Sequence, residues 1–281
     1  MIRWKDKQVS WYWLLLLSLG SRNYHHPMYN QLSVVIICRN EAAIIGKTIA
    51  AARTCTDDIV VVDSGSTDGT QAIVTSLGAR LIETGWEGYG PNKNKGVAAA
   101  KHDWILSIDA DEIPDETLQQ ELQQLSFTDL SVVYNIRFRV FLGQQMIRFG
   151  EWSNDRHIRL YNRRHGGWNN AAVHEGLVFP AETKTVTLKG YIHHYTSRNI
   201  ADFATKTVNY AMLNAQKYHQ QGKGAGWLKC RLAPGFSFVK NYIFRLGFLD
   251  GEAGYTVAKM NAWYTWLKYA RLRELNRENR G

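Results

Sequence analysis

The sequence has little cysteine and little proline. Its 281 residues include three cysteines, Cys38, Cys55 and Cys230, and five prolines. The cysteines are odd in number, lie far apart and form no C-x-x-C pair, which argues against a disulfide framework and against a zinc site. We therefore expect the protein in a reducing compartment.

A long apolar run is also missing near the N-terminus. Residues 11–19 are mostly apolar and follow several basic residues, so they superficially resemble a signal peptide. A membrane-spanning helix needs about 20 apolar residues, and no A-x-A cleavage site follows this run. We interpret residues 1–30 as an N-terminal extension, either a start-site extension before Met28 or an arm that touches a membrane, and not as an export signal.

Acidic residues are fewer than basic ones. The chain has 25 Asp and Glu against 34 Lys and Arg, a formal net charge of +9. Residues 222–281 alone contain 11 Lys and Arg against 4 Asp and Glu. An anionic partner is expected for this region, and on charge alone nucleic acid, an acidic membrane surface and a phosphorylated substrate all remain open.

The central part of the chain alternates between apolar runs and helical patterns from Leu32 onward. Such alternation is typical of an α/β domain with a mostly parallel sheet. Strands are predicted at 33–38, 59–62, 79–82 and 104–108, and helices at 41–53, 68–77, 91–101 and 115–125. After Ser131 a two-residue period predicts further strands at 133–141, 157–161 and 185–191, followed by a long helix at 199–220. We expect one catalytic domain over residues 31–221.

The C-terminal region, residues 222–281, is predicted to be helical, basic and amphipathic. Apolar side chains recur at helical spacing over residues 236–249 and again over residues 257–267, with basic side chains on the other side. These stripes are compatible both with packing on the catalytic domain and with contact with a membrane. The basic excess and Trp263 and Trp266 favour the membrane.

The motif ILSIDADE at residues 105–112 is the strongest chemical signal. Alternation along a strand would point Asp109 and Asp111 in the same direction, beyond the carboxyl end of the strand, where α/β sheets bind ligands. Two carboxylates suit Mg²⁺ or Mn²⁺ carrying a diphosphate. A lone D-x-D is a weak motif, and its acids could instead begin the next helix.

Two further motifs place polar groups at the ends of neighbouring strands. The run VVVDSGSTDGT at residues 60–70 ends a strand on Asp63, which can accept hydrogen bonds from a base or ribose, while the small residues let a nucleotide approach the backbone. The run SVVIICRNE at residues 33–41 ends on Arg39, Asn40 and Glu41.

In order and spacing, these motifs resemble family 2 glycosyltransferases of the GT-A fold across roughly residues 32–115. The resemblance implies a nucleotide-sugar donor, a UDP-sugar, and a divalent metal, with Asp63 at the nucleoside, Asp109 near the ribose or metal, and Asp111 as a direct metal ligand. It also implies donor contacts from the turn at 39–41 and from Lys93 and Asn94. For Lys93 and Asn94 a solvated helix start is the alternative.

The second half resembles a narrower branch that includes lipopolysaccharide-core β-1,4-glucosyltransferases. The resemblance lies in EWSND at 151–155, RLY at 159–161, VHEG at 173–176, HHY at 193–195 and YIFRLGFLDG at 242–251. Inversion at the anomeric carbon needs one general base. The resemblance implies Glu175 for this role, with Asp155 as second candidate. It also implies His194 as a metal ligand, with His193 as the fallback and a packed structural histidine as the ordinary alternative.

Together these features predict an inverting, metal-dependent hexosyltransferase. The resemblance implies glucose transfer from UDP-glucose to an inner-core heptose of a lipid-linked acceptor, at the cytoplasmic face of the inner membrane, held there by peripheral contact with anionic lipid. The absence of a Glu-Asp pair and of a Q-x-x-R-W string argues against a processive synthase. The alternatives are another glycan or protein acceptor, and a nucleotidyltransferase; no nucleic-acid-binding motif accompanies the basic region.

Overall fold

A computed structural model describes residues 31–153, 155–170 and 175–278. The predicted N-terminal extension, residues 1–30, lies outside the described residues.

The described part contains a nine-stranded sheet, a two-stranded sheet and seven α-helices. The strands are β1 Leu32–Cys38, β2 Asp58–Asp63, β3 Arg80–Glu83, β4 Trp104–Asp109, β5 Glu112–Pro114, β6 Val132–Leu142, β7 Gln145–Ile147, β8 Arg156–Asn162, β9 Gly167–Trp168, β10 Leu177–Val178 and β11 Lys184–Ser197. The helices are α1 Ile45–Arg53, α2 Thr70–Ser76, α3 Tyr89–Ala99, α4 Glu116–Gln124, α5 Ile200–Gln220, α6 Trp227–Val239 and α7 Gly251–Glu278.

The first half of the sheet is parallel, as the sequence predicts. Its strands lie in the order β3-β2-β1-β4, and β1 and β2 are buried over their whole length. Strands buried on both faces are continuous apolar runs because helices cover both sides of the sheet. The carboxyl ends of β1, β2 and β4 therefore meet at one edge, where Cys38 lies beside Asp63 and Ile37 beside Asp109.

The second half of the sheet is mixed. Strand β8 runs antiparallel to β4 and to β6, while β11 pairs in parallel with β6 and antiparallel with β5. The α/β class is thus confirmed; β1 to β4 form a continuous parallel part of the sheet, and β6 and β11 form one further parallel pair. Strand β11 extends beyond the predicted 185–191 to Ser197, which places His193 and His194 beside β5.

The C-terminal region is helical, but the prediction of one helix over residues 236–249 is wrong in its bounds. Helix α6 begins at Trp227 and is followed by a π-helical turn at Lys240–Phe244 and a 3₁₀ helix at Gly247–Asp250. Between these two segments Leu246 takes a left-handed conformation, with φ of 58°, which interrupts the helix. Periodicity alone could not reveal this interruption, since apolar residues continue through it.

Helix α7 holds the C-terminal region against the rest of the fold. Val257 and Ala253 of α7 pack with Phe203 of α5 and Ile147 of β7 in one buried apolar cluster. Within residues 31–278, gaps aside, no helix combines the length and apolar character that crossing a bilayer requires.

Candidate active site

A cavity of about 520 Å³ opens at the carboxyl ends of β1 and β4. This is the edge at which α/β sheets commonly bind ligands. The cavity is lined by six of the site residues predicted from the sequence: Arg39, Glu41, Asp109, Asp111, Glu175 and His194. The fold thus brings together residues that are distant in the chain: Arg39 and Glu175 are 136 positions apart and line the same cavity.

The turn after β4 presents both aspartates to this cavity. Strand β4 ends at Asp109, so Asp111 lies in the following turn and not on the same strand as the alternation argument assumed. Backbone hydrogen bonds fix the turn: the amide of Ala110 donates to Ile37 at 3.1 Å, and the amide of Tyr195 donates to the carbonyl of Asp111 at 2.9 Å. The convergence of the two carboxylates therefore comes from the turn.

Two buried cations lie beside Asp109. Lys93 Nζ is 3.3 Å from Asp109 Oδ1, and an Arg159 guanidinium nitrogen is 3.6 Å from Oδ2. Burial raises the pKa of Asp109, but Lys93 and Arg159 more than offset it and hold the pKa below its usual value. Arg159 also pairs with the buried carboxylate of Glu112, which accepts a hydrogen bond from the Asp109 amide. Asp109 is thus kept ionised in a fixed position.

Lys93 joins Asp109 to Glu175. Its ammonium lies 3.0 Å from Glu175 Oε1 and 4.3 Å from the centre of the Trp168 ring, and its side chain is only 1% exposed. A solvated helix start is therefore excluded for Lys93. Asn94 does not line the cavity. Its side-chain amide donates a hydrogen bond to the Trp168 carbonyl at 3.0 Å.

Asp63 and Asn40 build the wall behind the cavity. Asp63 is fully buried and accepts hydrogen bonds from the amides of Gly65 and Ser66 and from Gln71. Burial raises the pKa of Asp63, and these bonds, those from Ser66 first, lower it below its usual value. Asn40 accepts from the Thr67 amide at 2.8 Å. Asn40 thus links the two strand-end loops, Asp63 fixes the conformation of its own loop, and neither residue is among the cavity-lining residues.

Glu41 and Arg39 face the cavity from the end of β1. Arg39 is exposed, whereas Glu41 is partly buried. Burial, reinforced by the charge of Asp111, raises the pKa of Glu41 to about 7. This carboxyl group of the cavity therefore keeps its proton to a higher pH than an ordinary glutamate does.

His194 lies beside Asp111, and His193 faces away. His194 Nε2 is 3.5 Å from Asp111 Oδ2. Burial lowers the pKa of His194, but Asp111 and the neighbouring carboxylates raise it to about 9. Successive side chains of a strand alternate between faces, and His193 accordingly packs near Phe141, with ring centres 5.2 Å apart, outside the cavity lining.

The two candidate bases differ in their surroundings. Glu175 lines the cavity next to Lys93, while Asp155 does not line it. Asp155 is 41% exposed and pairs with His157 at 2.8 Å. The hydrogen bond from His157 lowers the pKa of Asp155. Of the two, Glu175 is the carboxylate that shares the cavity with the DxD turn.

The donor chemistry at the cavity suits a divalent cation. Asp109 and Asp111 offer carboxylate oxygens, and His194 offers an imidazole nitrogen once a bound cation has displaced its proton; Mg²⁺ or Mn²⁺ accepts such a set when phosphate oxygens and water complete the shell. Asp109 Oδ1 is buried and has the Lys93 ammonium, 3.3 Å away, as its polar neighbour. Within the described part of the chain, no three such side chains are close enough to form a complete metal site by themselves, so the fit depends on the ligands that a diphosphate adds.

Several lining residues were not predicted from the sequence. Lys206, Tyr210 and Leu213 of α5 also line the cavity. Their spacing of four and three residues puts them on one helix face, and that pattern was available in the sequence. The contact of Arg159 with Glu112 was also missed: both residues belong to motifs visible in the sequence, but their pairing depends on β8 lying beside β4, which the motifs do not specify.

Comparisons with known proteins identify the family. The model for glycosyl transferase family 2 matches residues 33–178. An uncharacterized glycosyltransferase of Rickettsia typhi is 30% identical over 261 residues, 89% of this chain and 89% of that protein. The lipopolysaccharide core biosynthesis glycosyltransferase LpsC of Rhizobium meliloti is 31% identical over 252 residues, 86% of this chain and 91% of that protein.

Solved structures overlap a smaller part of the chain. Glucosyl-3-phosphoglycerate synthase from Mycobacterium tuberculosis, in complex with Mn²⁺ and UDP-glucose, is 25% identical, with a TM-score of 0.32. The match covers 42% of this chain and 45% of that one, and it supports no conclusion about ligands here. The family model and the relatives matched over most of their length do support one: this chain belongs to glycosyl transferase family 2.

Proposed function

We propose that this glycosyltransferase moves a hexose, glucose from UDP-glucose, with inversion onto a heptose of the lipopolysaccharide inner core. The observation that carries the proposal is that Glu175 lines the same cavity as Asp109 and Asp111, at the carboxyl edge of the sheet. The similarity to LpsC, whose name places it in lipopolysaccharide core biosynthesis, supports the acceptor class.

In this proposal the donor diphosphate lies against the turn after β4. Asp109, Asp111 and His194 would hold the divalent cation, which when bound neutralises charge that develops on the departing diphosphate. Lys93 contributes a second, fixed positive charge 3.3 Å from Asp109. The strand-end loops, joined by the hydrogen bond from the Thr67 amide to Asn40, would give the nucleoside a preformed wall.

Glu175 is the proposed general base. As the acceptor hydroxyl oxygen forms a bond to the anomeric carbon, the bond from that carbon to the diphosphate oxygen breaks, and the hydroxyl proton passes to the Glu175 carboxylate. Attack from the face opposite the leaving group inverts the configuration. Lys93, at 3.0 Å, orients the carboxylate. Asp155 is the weaker candidate because it lies outside the cavity lining.

The proposal includes peripheral contact with an anionic membrane at the cytoplasmic face of the inner membrane. Leu228, Leu232 and Phe236 of α6 are 60%, 60% and 66% exposed. Their four-residue spacing makes one apolar stripe. Residues 222–249 contain five Lys and Arg and no Asp or Glu. Exposed apolar side chains among basic ones are typical of a helix that lies in a lipid interface.

A donor screen tests the proposed reaction. The purified enzyme is incubated with UDP-glucose and other nucleotide-sugars, with and without Mg²⁺ or Mn²⁺, and with a heptose-containing acceptor. We expect UDP release and product formation with UDP-glucose, and loss of both on chelation or in Asp111→Ala, with the circular dichroism spectrum retained. Full activity of Asp111→Ala would remove the metal role of the turn, and turnover of a different donor would replace UDP-glucose.

A further inference from the structure

A second cavity, of about 370 Å³, adjoins the first. It lies between the end of β11, helix α5 and helix α7. Four residues form a common wall because they line both cavities: Thr196, Lys206, Tyr210 and Asn214. A molecule in the second cavity could therefore extend one group past this wall toward Asp109 and Glu175. Its volume falls within the range of roughly 300–1,000 Å³ that is usual for ligand pockets.

The lining of the second cavity combines an aromatic surface with hydrogen-bonding groups. Trp152 lies against Phe203, with ring centres 5.1 Å apart. Glu151, Thr207 and Tyr264 add a carboxylate and two hydroxyl groups. A saccharide presents both an apolar ring face and many hydroxyl groups, and aromatic rings with convergent polar side chains match that chemistry.

Asn261 supplies a donor that the protein itself does not use. Its Nδ2 is buried and has no hydrogen-bond partner, although Asn261 lines the second cavity. A buried polar group without a partner is costly. Rotation of the side-chain amide toward the cavity would let a ligand hydroxyl accept this hydrogen bond.

The far side of the second cavity leads to the segment that carries exposed apolar side chains. The side-chain amide of buried Asn241 donates to the Glu151 carboxylate at 3.4 Å. The backbone amide of Gly150 donates to the Arg245 carbonyl at 3.0 Å. Beside these contacts, Phe244 is 73% exposed and Ile243 is 48% exposed. A saccharide in the cavity can thus remain attached to a lipid on that side.

We propose that the second cavity is the acceptor subsite and binds the saccharide part of a glycolipid, with Trp152 as the stacking surface and Asn261 as a hydroxyl-binding group. This inference rests on the proposed function, because it assigns the acceptor of that same reaction. It further assigns direction: the donor enters at the carboxyl ends of β1 and β4, and the acceptor enters from the side of α7.

The variant Asn261→Leu tests the subsite. It removes an amide that has no protein partner, so we expect the melting temperature to be unchanged or higher. The probe is a heptose-containing inner-core oligosaccharide freed of lipid, titrated by calorimetry into the full chain in the presence of UDP. We expect the saccharide Kd to rise about tenfold, the effect of about one lost hydrogen bond, with UDP affinity unchanged.

Asn209→Leu is the matched control, since it makes the same change on an exposed position of α5 outside both cavities. Equal saccharide affinity in the wild type and Asn261→Leu overturns the subsite, and so does absence of saccharide binding to the wild type. Failure of the proposed reaction is a separate result. If no nucleotide-sugar is turned over but saccharide binding still depends on Asn261, the reaction fails and the subsite stands.

Discussion

At the scale of single residues, buried charged side chains hold this active site in position. Lys93 is 1% exposed, yet it contacts both Asp109 and Glu175. Two carboxylates this close would repel each other without a cation between them. Removing one member of such a cluster leaves the others uncompensated, so the three side chains form one unit whose charges fix their positions.

Replacement of the proposed base gives the sharpest residue-scale prediction. Glu175→Gln keeps the size of the side chain and a carbonyl oxygen for Lys93, but it cannot take a proton. We expect kcat to fall about 10²–10⁴-fold, the usual contribution of a general base, while the donor Kd changes little. Steady-state kinetics and UDP titration measure the two quantities.

Asp155→Asn is the comparison variant. Asp155 is 41% exposed and pairs with His157 outside the cavity lining, so we expect less than a tenfold loss of kcat. The base assignment moves to Asp155 if its variant has the larger loss. If neither variant changes kcat, no carboxylate of this pair acts as the base.

The sequence predicts the residues that belong to motifs and misses those defined by burial. Asp109, Asp111, Glu175 and His194 meet in one cavity, as their motifs implied. Arg159 could not be assigned, because its role depends on the pairing of β4 with β8, which brings it within 3.6 Å of Asp109. Local spacing does not specify that pairing.

Helix α3 determines where Lys93 lies, and its packing depends on one glycine. A Cβ atom on Gly96 would lie 2.4 Å from Val35 Cγ1 and 2.9 Å from Val62 Cγ2. Both valines belong to fully buried strands, so neither can move away easily. The absence of a side chain at residue 96 therefore allows α3 to lie directly on β1 and β2.

Gly96→Ala tests this packing at the scale of the element. We expect a loss of about 1–3 kcal/mol in the free energy of unfolding, the range for overpacked interiors, together with reduced kcat because Lys93 is displaced. Gly46→Ala in α1 is the matched control, since its Cβ would meet atoms at 3.7 and 3.8 Å, which is ordinary contact. Urea unfolding measures both variants. Equal stability of the two would contradict the close packing of α3.

For secondary-structure elements, prediction from the sequence succeeds where the hydrophobic periodicity and the observed burial agree. Strands β1, β2 and β4 were predicted to within a residue because continuous apolar runs between turns allow few other structures. The segment 236–249 was not, since its apolar residues continue through a π-helical turn and the left-handed Leu246. The turn depends on tertiary contacts: the Gly150 amide donates to the Arg245 carbonyl, and Asp250 accepts from the Arg148 and Phe149 amides.

For the whole molecule, the proposed membrane contact and the proposed acceptor subsite can be considered together. The stripe residues Leu228, Leu232 and Phe236 lie in a stretch that is basic throughout. The second cavity is bounded by the turn that contacts this stretch. We propose an orientation in which the stripe lies in the membrane and the acceptor subsite receives its saccharide from the same side.

The double variant Leu232→Gln/Phe236→Gln tests that orientation. Deleting residues 236–281 would be a poor test, because it removes α7, whose Val257 packs with Phe203 of α5. The two exposed side chains make no such buried contact, so the fold should survive. Each large apolar side chain moved from water into lipid contributes about 1.5–3 kcal/mol. We therefore expect binding to vesicles of anionic phospholipid, measured by co-sedimentation, to fall at least tenfold.

The control is Leu130→Gln, at a leucine that is 44% exposed and far from α6 in the chain. Wild-type binding should weaken in high salt and on neutral vesicles, because the basic side chains of residues 222–249 act over roughly a Debye length. Wild-type affinity in the double variant would show that α6 does not contact lipid.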